Sequence, residues 1–253
     1  MNWIGLYTIV KREIKRMLRV PGQTILSPLI SATLYIFIFG YVIGTNITKI
    51  AGVPYITFVF PGILMLNIIG SSFAQSSSSV YFAKFIKSIE EMLVSPLSYL
   101  EIVIGYVAGG IARSLVVGFG ILIIGLLFGA VTLASLPLFL FYVVAIAIIF
   151  SLLGILVGLW AKGFEQLSAI NIFVITPLTY LGGIFYSVKM LPHTVQFITY
   201  ANPFFYFVDG IRSSMIGVSE ANVWVGLAMI VGLILALGFL VIRLFATGWR
   251  IRP

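Results

Sequence analysis

The chain has 253 residues, of which 61% are hydrophobic and only 9% charged, with a formal net charge of +8. Soluble domains carry roughly 25% charged residues, so this chain has too few charges to solvate a globular surface, and its mean hydropathy of +1.17 points to a bilayer. A hydrocarbon core about 30 Å thick takes about 20 helical residues per crossing. About five to seven crossings would then consume the chain and exclude a sizeable soluble catalytic or nucleotide-binding domain. The absence of cysteine excludes a disulfide framework, a thiolate metal site and a cysteine nucleophile, and one histidine argues against a histidine-based metal site.

Residues 1–20 do not read as a signal peptide, because the positive charge follows the first apolar residues. Trp3, Tyr7, Val10, Ile14 and Met17 recur at helical spacing, while Lys11, Arg12, Lys15, Arg16 and Arg19 gather on the other side. The pattern predicts a basic amphipathic helix lying in the headgroup layer. Pro21-Gly22 then turns the chain into its first crossing.

Apolar runs predict six crossings, at 24–44, 56–79, 101–129, 137–160, 167–187 and 222–245. With a cytoplasmic N-terminus, eleven Lys and Arg lie inside (11–19, 84, 87, 162, 243, 250, 252) and three outside (Lys49, Lys189, Arg212). That bias places both termini in the cytoplasm. The basic residues flank apolar runs, which speaks for membrane orientation and against nucleic acid. Small residues four apart, at Gly105/Gly109, Gly125/Gly129 and Gly154/Gly158, predict closely packed helices.

Little here can carry chemistry. His193 follows Pro192 in an outer loop, and no nucleophile elbow is present. Ser76 to Ser79 either line a polar path or pack helices. There is no phosphate-binding G-x-x-x-x-G-K-[ST] loop, so energy must come from another polypeptide or an ion gradient. Arg113 lies deep in the third crossing and is either functional, a tie to a neighbouring helix through Asn171 or a backbone carbonyl, or snorkelling. Between the second and third crossings, Phe85, Ile89, Met92 and Leu93 form an apolar stripe opposite Lys84, Lys87, Glu90 and Glu91. A short amphipathic helix stopped at Ser95-Pro96 follows, either a docking element or a solvated linker.

Four stretches make the organisation resemble the permease subunits of ABC-2-type exporters. SIEEMLVSPLS (88–98) resembles the family's coupling helix, TPLTYLGGIFYSVKMLP (176–192) its fifth span and following loop, and ANPFFYFVDGIRSSMIG (201–217) the segment before its last span. GYVAGGIARSLVVG (105–118) resembles the third span of drug-, lipid- and polysaccharide-exporting members. The likeness covers the chain in order, 1–253, as one domain. It implies an all-α membrane protein with six transmembrane helices, an N-terminal interfacial helix, a cytoplasmic coupling helix and a re-entrant outer hairpin within 188–217. It further implies a homodimer in the inner membrane, driven by a separate P-loop ATPase that holds ATP and Mg, with no cofactor or catalytic residue in this chain. Lys84, Lys87, Glu90, Glu91, Leu93 and Pro96 would meet that ATPase. Tyr35, Phe39, Phe58, Asn67, Tyr180 and Phe185 would line a path for an amphiphilic or hydrophobic cargo: a drug, a lipid or a lipid-linked glycan. The competing classes are a membrane-embedded lipid-modifying enzyme and a resistance or immunity protein that recruits an ATPase without transport.

Overall fold

A computed structural model of the chain describes residues 2–45, 47 and 49–250. Arg252, counted above among the inner charges, lies outside the described residues. Helix α1 (Trp3–Arg19) starts where the Asn2 side chain accepts the Gly5 amide at 3.0 Å. A π-helical turn at Gly22–Leu26 leads into α2 (Ser27–Phe37), which widens again into a π-helical turn at Ile38–Ile43. A two-residue antiparallel pair, Lys49–Ile50 with Val53–Pro54, turns through Ala51 and Gly52, both at positive φ. It is the one exception to an all-helical fold among the described residues. There follow α3 (Tyr55–Phe85), α4 (Ser88–Val94), α5 (Tyr99–Leu127) and α6 (Leu136–Trp160). Next come α7 (Phe164–Ile170), a π-helical turn (Asn171–Ile175) and α8 (Thr176–Leu181), then α9 (His193–Ala201), α10 (Pro203–Ile216) and α11 (Val223–Thr247).

Among the described residues, five helical segments are long and apolar enough to cross a bilayer: Gly22–Ile43, α3, α5, α6 and α11. The continuous helix 164–181 spans about 27 Å at about 1.5 Å per residue, but Glu165, Gln166 and Asn171 dilute its apolar character. It ends earlier than the apolar run suggests. Gly183 takes φ +82° and the chain turns back, so 184–187 are not helical.

The bundle is built around α3, buried from Tyr55 to Ala83 on most of its circumference. A helix that is apolar or small on every side has no lipid-facing stripe and belongs in a core. It lies against α6 with backbone nearly touching backbone. A Cβ on Gly154 would sit 2.7 Å from the Phe73 carbonyl oxygen, and one on Gly158 2.7 Å from that of Ser77. The serines of α3 therefore pack helices: Ser71, Ser72, Ser76, Ser77 and Ser79 are all buried, and Ser72 donates back to the Ile68 carbonyl at 2.8 Å. Gly105 and Gly109 of α5 do the same for α1, receiving Ile9 and Glu13 in place of side chains of their own. The pair Gly125/Gly129 divides instead. Gly125 faces Phe60, while Gly129 at φ +64° closes the end of α5, where Ala130 donates to the Gly125 carbonyl at 2.9 Å.

Contacts sort the charges by end. At the Phe85 end of α3, the Lys84 amine donates to the Leu159 and Ala161 carbonyls, both at 2.7 Å, and satisfies the open end of α6. Arg250 donates to the Trp160 carbonyl, and Arg16 lies over the Phe82 ring at 5.0 Å. At the Tyr55 end lie the strand pair carrying Lys49 and the segment carrying Lys189, with the Tyr55 hydroxyl donating to the Phe185 carbonyl at 3.2 Å. Arg212 also belongs to that end, but it is no loop charge. It is fully buried, with its guanidinium 4.0 Å from the centre of the Phe58 ring and donating to the Gly183 carbonyl at 2.6 Å.

Because the α3–α6 contact leaves no room for a side chain, Gly154→Val is expected to force the helices apart. A loss of about 1–3 kcal/mol, the usual overpacking penalty, should appear as a lowered unfolding midpoint in detergent. Gly232→Val, where a Cβ meets nothing within 4 Å, should leave the midpoint near wild type; equal midpoints for both variants would refute the contact's importance.

Candidate functional site

Two clusters bring together residues singled out in the sequence. The first is at the basic end. Helix α4 follows Lys87, which takes φ +59° to reverse the chain out of α3, and it stops at Ser95 in extended conformation before Pro96. Ile89 is buried, Met92 and Leu93 are half-buried, and Glu90 and Glu91 are exposed, so α4 presents an acidic face outward. Phe85 departs from the expected stripe and is 70% exposed. Lys87 and Pro96 are exposed, whereas Lys84 is taken up by the end of α6.

Helix α1 is seated directly beside α4. Leu6, Ile9, Glu13 and Met17 are its buried face, turned to the bundle, while Trp3, Ile4, Tyr7 and Leu18 are exposed. The helix has three flanks where the sequence pattern gives two sides: one is bound to protein, a second is apolar and open, and a third is basic. Glu13 is the reason. It is 1% exposed, accepts from the Ser79 hydroxyl at 2.6 Å and the Gln75 amide at 3.4 Å, and pairs with Arg12 at 3.1 Å. Arg12 reaches on to the Met92 sulfur at 3.5 Å and lies over the Tyr106 ring at 5.6 Å. One acid among five bases, in phase with Ile9 and Met17, was the available signal for this link.

The second cluster lies between α2 and α8. The Tyr35 and Tyr180 hydroxyls are 3.1 Å apart, and Phe39 stacks on Phe185 with ring centres separated by 4.1 Å. Tyr35 and Tyr180 both come within reach of Phe185, at 6.2 and 5.7 Å. These four half-buried residues thus form one aromatic patch. Phe58 does not join them, being fully buried beneath Arg212, and Asn67 turns its amide to the Ile63 carbonyl of its own helix at 2.9 Å.

Arg113 ties helices through a backbone carbonyl, that of Thr24, to which its Nε donates at 3.2 Å. Pro28, four residues on, has no N–H to give that carbonyl, so the arginine occupies a vacancy that the proline creates. Asn171 plays no part in it. Asp209, also unanticipated, accepts from the Glu220 and Ala221 amides at 2.8 and 3.1 Å and from the Ser219 hydroxyl at 2.7 Å. Glu220 in turn accepts from the Val188 amide at 3.0 Å and from the Ser187 hydroxyl. The i, i+3 spacing of Asp209 and Arg212 was a legible sign of a buried polar assembly. The Ser79 hydroxyl is committed to Glu13 in the packed interior, and no group of acidic residues or histidine suited to a metal occurs among the described residues.

Comparison with known proteins agrees with this architecture. The family description "ABC-2 type transporter" matches residues 5–216. The inner membrane transport permease YadH of Escherichia coli K12 is 38% identical over 252 residues, covering 100% of this chain and 98% of that protein. Nodulation protein J of Rhizobium leguminosarum bv. viciae is 26% identical over 228 residues, 88% of this chain and 85% of that protein. With the match running from α1 to the end of α10, the chain belongs to the ABC-2 type transporter family, as a transport permease of the membrane.

Proposed function

We propose that the chain is the membrane subunit of an ATP-driven exporter, working as a homodimer with a separate P-loop ATPase that binds ATP and Mg. The observation that carries this reading is the exposed acidic face of α4 at the basic end of a bundle that lacks a nucleotide-binding loop of its own. In the proposal α4 is the coupling helix, with Glu90, Glu91, Lys87, Leu93 and Pro96 at the ATPase contact. Lys84 acts behind them by holding α6. The helix 164–181 counts as the sixth crossing, with neighbouring helices covering Asn171, and α9–α10 form a re-entrant outer hairpin. Irregular backbone at that depth needs protein cover, which the Arg212, Asp209 and Asn202 bonds supply. The relative's printed name supports an inner-membrane location, and the charge bias supports cytoplasmic termini. The cargo is an amphiphilic or hydrophobic molecule, a drug, lipid or lipid-linked glycan, whose route is bordered by the Tyr35–Phe39–Tyr180–Phe185 patch. Aromatic rings with hydroxyl tips offer an apolar body or a sugar face broad contact and a polar handle.

Orientation is testable directly, because the natural chain is free of cysteine. Lys49→Cys and Lys189→Cys should react with an impermeant thiol reagent in sealed cells, and Lys162→Cys should react only after lysis. The reverse pattern would invert the topology.

The docking assignment predicts that Glu90→Lys with Glu91→Lys leaves the permease folded yet captures its ATPase roughly tenfold less well, chiefly through slower association. Equal recovery of the ATPase by variant and wild type would make α4 a linker.

For the route, Tyr35→Phe and Tyr180→Phe remove the hydroxyl pair without emptying the patch. Cargo-stimulated ATP hydrolysis in proteoliposomes should fall several-fold relative to cargo-free hydrolysis. Stimulation identical to wild type in both variants would move the path elsewhere.

A further inference from the structure

Between α1 and the basic end of α3 lies an open cleft of about 520 Å³, continuing to Ser88 at the start of α4. Its rim on one side is Lys11, Lys15, Arg16 and Arg19, and its floor is Phe82, Ala83 and Ile86. Phe82 is 42% and Ile86 65% exposed, so the floor is apolar surface without a protein cover. The rim carries more positive charge than the one carboxylate lining the cleft, Glu13, offsets. Among the described residues the only ion pair is Arg12–Glu13, which leaves the four rim cations without a carboxylate within 4 Å. Arg16 is half-buried against the Phe82 ring, and burial pushes its guanidinium below its ordinary pKa. A cation held partly out of water over an apolar floor gains from an anion beside it.

From this juxtaposition we infer that the cleft is a binding site for the phosphate headgroup of an anionic phospholipid, with the upper acyl chain lying on Phe82 and Ile86. Two features select a lipid over other anions. Helix α1, which forms one wall of the cleft, also carries the exposed apolar residues Trp3, Ile4, Tyr7 and Leu18, a surface suited to acyl chains. A soluble anion or an acidic protein surface would meet the cations but leave Phe82 and Ile86 uncovered. Four basic side chains also match the clusters by which amphipathic helices select anionic leaflets. The role follows from position. Glu13 already fixes α1 to α3 from the buried side, at Ser79 and Gln75. A headgroup between the rim and the floor would bridge the same two helices from the open side, making the seating of α1 depend on lipid.

Headgroup binding in detergent needs neither an ATPase nor a membrane orientation, so its failure and the failure of the transport reading are distinguishable. Delipidated permease is titrated with phosphatidylglycerol, with phosphatidylcholine and with inorganic phosphate, and retained lipid is counted by native mass spectrometry. Phosphatidylglycerol should be held preferentially, and Lys15→Gln with Arg16→Gln should weaken it roughly 30-fold, at about 1 kcal/mol per basic residue removed. The charge-conserving Lys15→Arg with Arg16→Lys should retain it, and Lys49→Gln with Lys189→Gln, at the other end, should behave as wild type. All three pairs are compared only as monodisperse protein with wild-type elution. Equal retention by the cleft and control variants would mean diffuse charge attraction and overturn the site. Displacement by millimolar inorganic phosphate would reassign it to a soluble anion. Loss of ATPase capture in the Lys15/Arg16 variant with lipid retention unchanged would give the surface to a protein partner.

Discussion

The contact on which the rest depends is the one between α3 and α6, where Gly154 and Gly158 bring two backbones together. In a bilayer, lipid tails are as apolar as leucine, and helices gain little by hiding apolar side chains from them. What they gain is dense van der Waals contact and hydrogen bonds between polar groups that lipid cannot satisfy. α3 supplies both. Its serines are small enough to admit α6, and Ser79 and Gln75 offer hydrogen bonds to the buried Glu13 of α1. With α3 enclosed, α2 and α11 are left peripheral, carrying mostly exposed apolar side chains such as Leu34, Leu235 and Phe239.

The buried and half-buried charges serve this arrangement. Lys84 closes α6, Arg113 holds the elbow that Pro28 opens, and Arg212 grips the turn that ends α8. Each donates to a backbone carbonyl left without an intrahelical partner, at a helix end or opposite a proline. Glycines do the converse work, admitting neighbours where a side chain would block them. Gly62, for instance, lets Ile184 approach so closely that a Cβ would lie 2.9 Å from its Cα. The fold thus depends on where the hydrogen-bonding ladder is interrupted.

That dependence explains what could be read from the chain alone. Five of the six apolar runs coincide with long helices to within a few residues, because length and apolarity are local properties. The α3 run continues six residues past its expected end, to Phe85, since Ser76 to Ser79 look like a polar exit when they are packing residues. The 167–187 run outlasts its helix for the opposite reason, because Ile184, Phe185 and Tyr186 are apolar yet follow the Gly182-Gly183 break. The aromatic patch was legible as residue type, and four of its six expected members do meet. Phe58 and Asn67 could not be sorted out, because which side of α3 faces Arg212 is decided by the hairpin far along the chain. Glu13 was hidden by its neighbours: amid five bases it reads as a surface ion-pair member, and only the empty flank of Gly109 reveals where it points.

In the proposed permease, these links define how motion of α4 would spread. α4 touches α1 through Met92 and Arg12, and the linker after it touches the start of α1, where Asn2 donates to the Pro96 carbonyl at 3.3 Å and to Glu101. Arg12 is bound to Glu13, and Glu13 to α3, while Arg113 holds the elbow between α1 and α2 to α5. Moving α1 off α3 would break a buried carboxylate's bonds, an expensive event away from water. The cheaper response is for α1 to stay on α3 and α5 and for α2 to swing beyond the elbow. α2 is suited to moving, since it is flanked by two π-helical turns and lightly packed. Ala32 and Ile36 seat one face of α2 in the core, while toward α8 its polar tie is the Tyr35–Tyr180 pair, a single hydroxyl bond worth about 1 kcal/mol net. A rigid core of α3 and α6 and one weakly latched outer helix make the α2–α8 seam the place where the bundle opens at least cost.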